Sequence, residues 1–402
     1  MNSGDIKDWA VRNRPKIVRT LSELISIPTE NPPGKSYEAC VAAMGRFLSD
    51  RKIAFDIIKA DGETEFPRFS ILGSTECGDP VLHFHGHYDV VPAQSSEQYK
   101  AQELNGMLIG RGSSDMKGGL VAMLYALQFV KEARPTARGS VTFSIAPDEE
   151  TGGRNGTRFL AENELLQKPS LGMLMPEPTS GVIWSASKGA LSLKILIKGK
   201  EAHVGLASQG VNAFEHMTQV AHALLELKSK VVKRETALNT SPPEARRSVM
   251  LVGGQSGSGE NFNVVPGRAF FTVDRRINPE ETLADAKQEI LAVLENEKKK
   301  GIDLEVEVLQ EGESSRAGET TELASTLGRA VEEVTGRRAR FELCPGLLET
   351  RFFIERGIPA YSYGPGILEV SHKPDEYVQI AEVLNCTTVY ALTAMRAIER
   401  RE

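Results

Sequence analysis

Cysteines and long apolar runs are scarce in this sequence. Only 4 of the 402 residues are cysteine. They lie far apart and form no Cys-x-x-Cys pair, so we expect neither a disulfide framework nor a thiolate zinc site. The longest apolar run, residues 118–127, is too short to cross a bilayer. The N-terminal residues contain no apolar stretch typical of a signal peptide. These absences predict a cytoplasmic protein with no membrane partner.

Acidic residues outnumber basic ones in this sequence. Lys and Arg number 48 against 54 Asp and Glu, so the net charge is -6. Nucleic acids and anionic membranes bind concentrated positive charge, which argues against both as partners. A composition of 40% hydrophobic and 25% charged residues is typical of a soluble globular protein. A chain of 402 residues is long enough for two domains.

Helical and strand-like apolar periods alternate along the first 180 residues. The helical patterns cover residues 5–27, 37–49 and 117–130, and the strand-like runs cover 53–58, 69–72, 140–146, 171–175 and a stretch that begins at 81. Such alternation predicts an α/β domain with a mostly parallel sheet and helices on both faces. Ligands of such sheets collect beyond the carboxyl ends of the strands.

The order of elements changes after Ser180. It becomes β-α-β-β-α-β over roughly 125 residues, which is typical of a ferredoxin-like α+β domain. From Thr320 the α/β alternation resumes, and we expect a last helix from Glu376 to about Ile398. We therefore predict a first domain in two segments, residues 1–183 and 312–402, with a second domain inserted at 184–311.

The stretch from Val81 to Pro92 reads Val-Leu-His-Phe-His-Gly-His-Tyr-Asp-Val-Val-Pro. It begins as a buried strand and ends by delivering His87 and Asp89. This pair suits a metal site, because an imidazole offers a neutral nitrogen donor and a carboxylate can hold the other ring N–H. From this stretch alone a second interpretation stays open, since His83, His85 and His87 at period two also describe one face of an ordinary strand.

Four further segments carry acids or a histidine after a predicted strand or in a loop. They contain Asp115, the run Asp148-Glu149-Glu150, Glu177 and His372. Adjacent carboxylates need a cation or a shared proton, because like charges repel. Two histidines and several carboxylates, without cysteine, form the donor set for two zinc-like ions bridged by a carboxylate. The glycines around Asp115 match neither Gly-x-Gly-x-x-Gly nor a P-loop, so we do not expect nucleotide binding.

Five motifs, in this order, are similar to those of the di-zinc family of acetylornithine deacetylase, succinyl-diaminopimelate desuccinylase, aminoacylase and carboxypeptidase G. The resemblance covers nearly the whole chain and implies a zinc-peptidase-like catalytic domain with an inserted dimerisation or lid domain. The motifs are His87-x-Asp89-Val-Val-Pro92, Gly110-Arg-Gly-x-x-Asp115-Met-Lys-Gly-Gly119, Asp148-Glu149-Glu150-x-Gly, Glu177-Pro-Thr and His372-x-Pro-x-Glu376-Tyr.

The resemblance implies a role for each candidate metal ligand. Asp115 would bridge two divalent ions, with His87 and Glu177 completing one site and Glu150 and His372 the other. Zinc is the default ion, although cobalt or manganese would also fit nitrogen and oxygen donors.

The same resemblance implies two residues that act beside the metals. Asp89 would orient His87. Glu149 would be the general base, taking a proton from a metal-bridging water and passing it to the leaving amine. This division is chemically sensible, because a carboxylate that binds neither metal is free to carry a proton.

The inserted domain contains a further matching motif, Glu201-Ala202-His203-Val204-Gly205. In the family such a histidine reaches across a dimer interface to stabilise the oxyanion in the partner's active site, so the resemblance implies a homodimer. The alternative for His203 is an ordinary surface histidine.

Asn263, Arg276 and Arg351 are similar to residues that line the family's substrate pocket. An arginine there would grip a substrate carboxylate. The segment 346–351 reads Gly-Leu-Leu-Glu-Thr-Arg, where relatives commonly read Gly-Gly-Thr-Asp-Ala-Arg. The two leucines indicate a more apolar substrate group than in those relatives.

The resemblance predicts a zinc-dependent amide hydrolase that acts on a small N-acyl amino acid, of the acetylornithine deacetylase or succinyl-diaminopimelate desuccinylase type. A carboxypeptidase or dipeptidase of the same family is the alternative. A catalytically silent metal-binding protein on the same fold is a third interpretation, which the presence of Glu149 disfavours. A serine hydrolase is not expected, since no Gly-x-Ser-x-Gly elbow is apparent.

Overall fold

The computed structural model describes residues 2–61, 65–76, 78–79, 81–133, 139–166 and 168–399. Elements are numbered here in chain order. The first are α1 (Ser3–Ser26), α2 (Tyr37–Asp50), β1 (Ala54–Lys59), β2 (Phe69–Ser74), β3 (Val81–His87), β4 (Gln102–Leu104), β5 (Met107–Ile109), α3 (Gly118–Ala133), β6 (Ser140–Ala146), α4 (Thr157–Glu162), β7 (Gly172–Met175) and β8 (Ile183–Ser187).

The second half of the chain continues the numbering. Its elements are β9 (Gly189–Lys198), β10 (Ala202–His203), α5 (Ala213–Val231), β11 (Val249–Ser258), β12 (Val264–Val265), β13 (Arg268–Ile277), α6 (Leu283–Lys299), β14 (Asp303–Gly312), β15 (Ser315–Arg316), α7 (Glu322–Thr335), β16 (Phe341–Cys344), α8 (Thr350–Ile354), β17 (Ala360–Ser362), β18 (Tyr377–Gln379) and α9 (Ile380–Ile398).

The chain forms two compact units. The first contains Met1–Ser185, Ala317–Phe341 and Glu349–Glu402, and the second contains Ala186–Arg316 and Glu342–Leu348. The second unit therefore interrupts the first, as an inserted domain does. The short segment Glu342–Leu348, which the sequence patterns do not assign to the insert, also clusters with the second unit.

The first unit is built on a mixed sheet whose strands run in the order β1-β2-β6-β3-β7-β17-β8. The four strands at its centre are parallel, because β3 pairs in parallel with β6 and β7, and β7 pairs in parallel with β17. Antiparallel pairs lie outside them. The central strands are buried on both faces, which explains their nearly continuous apolar sequence.

Strand β3 illustrates how the two sides of the sheet differ. Leu82 and Phe84 join the larger hydrophobic core, which also contains α3 and α9. His83 and His85, at the alternate positions, face the ring of Phe353 with ring centroids 5.5 and 5.3 Å away. Strand periodicity thus separates an apolar face from a face of buried histidines.

Helix α3 is apolar almost all round because nearly all of it is buried. Each residue from Gly118 to Val130 is buried. Gly119 lets the helix begin close to the end of β7, since a Cβ there would lie only 2.0 Å from the carbonyl oxygen of Pro176. This close approach lets the helix pack directly beside the loop that carries Glu177.

The second unit contains a four-stranded antiparallel sheet in the order β11-β13-β9-β14. Its helices α5 and α6 share one hydrophobic core with the sheet. In chain order this is β-α-β-β-α-β, the ferredoxin-like arrangement. The predicted fold class, a mostly parallel α/β domain with an inserted ferredoxin-like domain, is confirmed.

The prediction that the last helix begins at Glu376 is wrong. Residues Tyr377–Gln379 form β18, which pairs with β5, and the helix begins at Ile380. Val378 is buried in this ladder, so its apolar character reflects strand pairing and not a helical face. Local periodicity could not reveal a partner strand that lies more than 260 residues earlier in the chain.

Membrane-spanning helices are absent from the part of the chain that the structure describes, because none of its helices combines the length and the apolar character that a bilayer requires. Cys40, Cys344 and Cys386 are buried. The fourth cysteine, Cys77, lies outside the described residues, so the expectation of no disulfide framework stays a prediction.

Candidate metal centre

The site assembles where the parallel strands end. β3 ends at His87, β6 is followed by Glu149 and Glu150, and β7 is followed by Glu177. Parallel neighbours place their carboxyl ends at one edge of the sheet, so residues distant in sequence emerge side by side. All of these residues belong to the first unit.

His87 is fully buried and held in one orientation. Its Nδ1 lies 3.1 Å from the backbone carbonyl oxygen of Asp89 and 3.3 Å from the Oδ1 atom of Asp89. Both are acceptors, so in the neutral ring Nδ1 carries the proton and the lone pair of Nε2 is available for a metal ion. Nε2 lies 3.3 Å from Oδ1 of Asp115 and 3.9 Å from Oε1 of Glu177.

Asp115 lies between two groups of potential ligands. Its Oδ1 faces His87, and its Oδ2 lies 3.3 Å from Nε2 of His372. The same nitrogen of His372 lies 3.2 Å from Oε2 of Glu150. Two sets of three side chains therefore meet at one shared carboxylate. The sets are His87, Asp115, Glu177 and Asp115, Glu150, His372.

Glu149 belongs to neither set, although it is adjacent to Glu150. Both lie in a short 3-10 turn that follows Asp148, whose φ of 67° makes the chain turn sharply after β6. The carboxylate of Asp89 accepts the backbone N–H groups of Glu149 and Glu150, each at 3.2 Å. Asp89 thus contacts both the ring of His87 and the turn that contains Glu149 and Glu150.

The charges in the site are out of balance without a cation. Burial raises the pKa of Glu149 well above 4.5, and the carboxylates of Glu177 and Glu150 raise it further. Burial likewise raises the pKa of Glu177, with Asp115 adding to the effect. The contacts of His372 with Asp115 and Glu150 raise the pKa of its imidazole to about 11. Buried like charges of this kind call for a counter-charge.

The residues present fit divalent metal ions. The Nε2 atom of His87 and the Oε1 atom of Glu177 are buried and have no hydrogen-bond partner among the described residues. Ligand atoms on a tetrahedral zinc ion lie roughly 3.3–3.6 Å apart, given metal–ligand distances near 2.0–2.2 Å. The separations of 3.2–3.9 Å between donor atoms here are of that size. Nitrogen and oxygen donors without sulfur suit zinc, cobalt or manganese.

Comparison with known proteins agrees with this geometry. The sequence model of peptidase family M20/M25/M40 matches residues 83–396. The chain belongs to this family. The predicted family resemblance is therefore confirmed, and the protein is a metal-dependent hydrolase of amide bonds.

Individual relatives agree with the family assignment. The chain is 29% identical over 331 residues to a succinyl-diaminopimelate desuccinylase of Pseudomonas fluorescens, covering 79% of this chain and 83% of the relative. Human carnosine dipeptidase 1 shares the fold with a TM-score of 0.81 at 15% identity, over 99% of both chains. The YXEP protein of Bacillus subtilis, described as a dinuclear metal binding peptidase, has a TM-score of 0.66 at 15% identity, over 96% of this chain and 98% of the other.

Three candidate residues lie in the second unit. His203 is exposed on the short strand β10, and its neighbour Val204 donates its N–H to the carbonyl of Asn263 at 3.0 Å. Arg276 is bound by its own neighbour, with Nε 2.8 Å from Oδ1 of Asp274. The structure thus places His203 beside Asn263, and Arg276 in an ion pair.

Arg351 lies in the first unit and is buried. Its NH2 group donates to the carbonyl of Gly152 at 3.0 Å, and its guanidinium carbon lies 4.1 Å from the centre of the Phe352 ring. Gly152 follows the turn that carries Glu149 and Glu150. Arg351 is therefore anchored beside that turn.

Several residues that shape the site do not emerge from the sequence interpretation. Asn31 donates to Asp89 at 2.9 Å, and His85 binds the buried carboxylate of Glu349 at 2.9 Å. Glu376 binds the loop of Asp115, as described below. For Glu376 a signal did exist, because it belongs to the His372 motif; Asn31 and His85 act through partners that are distant in sequence.

Proposed function

We propose that this protein hydrolyses the amide bond of an N-acyl amino acid, with Glu149 as the proton carrier beside two divalent metal ions. The observation that carries the proposal is the position of Asp115, whose two oxygens face two different sets of ligands, while Glu149 belongs to neither set. A single metal site would not need a shared carboxylate of this kind.

The side chains of both sets would hold the ions, which are Zn²⁺ by default. When bound, such a pair lowers the pKa of water and polarises the scissile carbonyl group. His87 is ready to serve as a ligand because the contacts of its Nδ1 leave the lone pair of Nε2 free.

Glu149 is suited to proton transfer by its environment. Its backbone is fixed by Asp89, and burial raises the pKa of its carboxyl group, which favours a base that can also return its proton. Glu149 takes a proton from the attacking water and gives it to the amine nitrogen as the C–N bond breaks. The products are a carboxylic acid and a free amino acid.

His203 stabilises the developing oxyanion in the proposed homodimer. Its Nδ1 accepts the backbone N–H of Gly205 at 3.1 Å, so the neutral ring carries its proton on Nε2. His203 is exposed, and its Nε2–H is therefore free to donate to a group outside its own loop. Replacing His203 with Asn should lower kcat more than it raises KM, and sedimentation would show whether the dimer persists.

Asn263, Arg276 and Arg351 are proposed as substrate-binding residues, as the family resemblance implies. Either arginine by itself suits a substrate with a free carboxylate. Arg276 already binds Asp274, so a substrate carboxylate would have to share or replace that partner. Arg276→Ala and Arg351→Ala should therefore raise KM for carboxylate-bearing substrates more than for their amides.

Cleavage of a dipeptide or of a C-terminal residue is the second candidate function. The relative of 29% identity is a desuccinylase, whereas human carnosine dipeptidase 1 shares the fold. A panel of N-acetyl, N-succinyl and N-aryl-acyl amino acids together with dipeptides, assayed with and without added Zn²⁺, separates the two. A preference of tenfold or more in kcat/KM for either class decides between them.

The base is tested by Glu149→Ala. We expect loss of hydrolysis with two metal ions retained per chain, because Glu149 is not among the ligands. Glu162→Ala is the control, since Glu162 is exposed and its Oε1 atom lies 2.8 Å from Nε of Arg158 on the surface. An unchanged rate in Glu149→Ala would overturn the mechanism, and activity that survives a chelator would overturn the role of the metals. A cytoplasmic location stays a prediction.

A further inference from the structure

Glu376 has no role in the proposed chemistry, yet its buried carboxylate is the acceptor of four hydrogen bonds. Oε1 accepts the backbone N–H groups of Ser114 and Asp115 at 2.9 and 3.0 Å. Oε2 accepts the backbone N–H of Gly112 at 3.0 Å and the guanidinium of Arg111 at 2.6 Å. Its side chain is only 1% exposed. One carboxylate therefore accepts hydrogen bonds from three backbone N–H groups of the loop that contains Asp115.

Arg111 connects the same loop to the segment that carries His372. Its NH2 group donates to the carbonyl of His372 at 3.1 Å, and NH1 donates to the carbonyl of Lys373 at 3.2 Å. His372 has a φ of 66°, a backbone conformation that residues other than glycine rarely adopt. The guanidinium supports that conformation while it is bound to Glu376.

We propose that Glu376, together with Arg111, is the positioning residue that fixes Asp115 and His372 at the separation needed to bind the second metal ion. The proposal rests on the function proposed above. Among the described residues, the hydrogen bonds of the Glu376 carboxylate go to the backbone of residues 112, 114 and 115 and to Arg111, so it acts through the backbone of Asp115 and through Arg111. We call Glu376 and Arg111 the clamp.

The loop of Asp115 needs an acceptor from outside itself. Gly112 has a φ of 82°, and Asp115 and Met116 have non-helical backbone angles. N–H groups in such a loop point together and form a concave site for an anion. Glu376 fills this site, and a neutral amide in its place would bring an NH2 group against several N–H donors.

The clamp should affect the two metal ions unequally. His87 is the last residue of β3 and Glu177 follows β7, so the sheet holds two of the three ligands of the first ion without help from the clamp. For the second ion, the clamp holds the backbone around both Asp115 and His372. Loss of the clamp is therefore expected to lower the affinity for the second ion more than the affinity for the first.

The test is Glu376→Gln, measured by calorimetric titration of the full chain with Zn²⁺ after removal of metal by a chelator. We expect wild-type protein to bind two ions, and the variant to bind one of them 10–100-fold more weakly, as is typical when a partner of a metal ligand is lost. The ratio of the two affinities should change as well, because the first ion is less affected.

Glu281→Gln is the matched control. Glu281 is also a largely buried carboxylate bound by arginines, with Arg275 at 2.8 Å and Arg234 at 2.6 Å, but it lies in the second unit. Both variants should unfold at lower temperature, whereas only Glu376→Gln should lose Zn²⁺ affinity. If Glu376→Gln lost only thermal stability and bound both ions like the wild type, the positioning role would be overturned.

Arg111→Lys provides a second variant in case Glu376→Gln does not fold. It leaves the carboxylate and its three backbone N–H bonds in place, and a lysine cannot reach both carbonyl groups of the His372 segment. Weaker binding of one Zn²⁺ ion supports the clamp, and unchanged binding of both overturns it. Wild-type protein that bound no Zn²⁺ would overturn the proposed function and with it this inference, whereas two ions bound with wild-type affinity in every variant would overturn only the clamp.

Discussion

The carboxylate of Asp89 accepts the backbone N–H of Glu149 at 3.2 Å. The same oxygen atom lies 3.3 Å from Nδ1 of His87, and the other oxygen accepts the N–H of Glu150. One side chain just after β3 therefore holds a proposed metal ligand and the turn that carries the proposed base. The orientation of His87 and the position of Glu149 depend on a single residue.

Asp89→Asn tests this dependence. The amide keeps one acceptor oxygen and presents an NH2 group to the other donors, so a buried N–H loses its partner at a cost of about 1–3 kcal/mol. We expect kcat/KM and Zn²⁺ affinity each to fall about 10–100-fold. Asp56→Asn is the control, because Asp56 is exposed on β1. Loss of stability without loss of Zn²⁺ affinity would contradict the orienting role.

Gly119→Ala should disrupt the packing beside Glu177. An added Cβ would meet the carbonyl oxygen of Pro176 at 2.0 Å, and the helix start or the β7 loop must move. Overpacking of this kind costs about 1–3 kcal/mol. Gly328→Ala in α7 is the matched control, since its Cβ would have only ordinary contacts, the nearest at 3.6 Å, and alanine favours helices by about 0.5–1 kcal/mol. Urea unfolding of both variants measures the difference, and equal effects would refute the packing argument.

The acid sensitivity of folding should depend in part on His83. This buried histidine contacts Thr142 and Ser144 at 2.8 Å each, and burial, assisted by His85, lowers the pKa of its imidazole well below 6.5. Below pH of about 6.5 the unfolded chain therefore binds a proton that the folded chain does not. The free energy of unfolding therefore decreases as the pH decreases below this value, by up to about 1.4 kcal/mol per pH unit for this group.

His83→Gln removes this titration while it keeps a polar side chain. We expect the stability difference between wild type and variant to narrow as the pH falls from 7 to 5. Urea unfolding at several pH values measures it, and titration of the other groups largely cancels because both proteins share them. A difference that does not change with pH would show that His83 does not contribute.

Removal of metal should destabilise the protein as well as inactivate it. The buried carboxylates around Asp115 then lose their counter-charge, so a chelator should lower the unfolding temperature. Zn²⁺ at one hundred times its Kd should restore about 2.7 kcal/mol per site. Asp115→Asn should abolish most of this stabilisation, whereas Glu149→Ala should keep it. Equal stabilisation of wild type and Asp115→Asn would contradict the assignment of Asp115 as shared ligand.

Elements with a local apolar pattern, and residues within a contiguous motif, could be predicted from the sequence. The strand Ser140–Ala146 has the bounds predicted from its apolar run, and the β-α-β-β-α-β order of the second unit followed from periodicity. Prediction from the sequence failed at β18, whose apolar residues pair with the distant strand β5. The catalytic metal and substrate that the motifs suggest, zinc and an N-acyl amino acid, stay predictions.

The order of residue types along the chain was sufficient to determine the family, the fold class and the set of candidate ligands, because each motif is a short contiguous string. Only the tertiary structure decided which side chains support them. Asp89 reaches the turn of Glu149, and Glu376 binds the loop of Asp115 more than 250 residues earlier. Such bonds form between donors and acceptors that the folded backbone brings together. The local sequence around each residue does not indicate which distant residue will lie beside it.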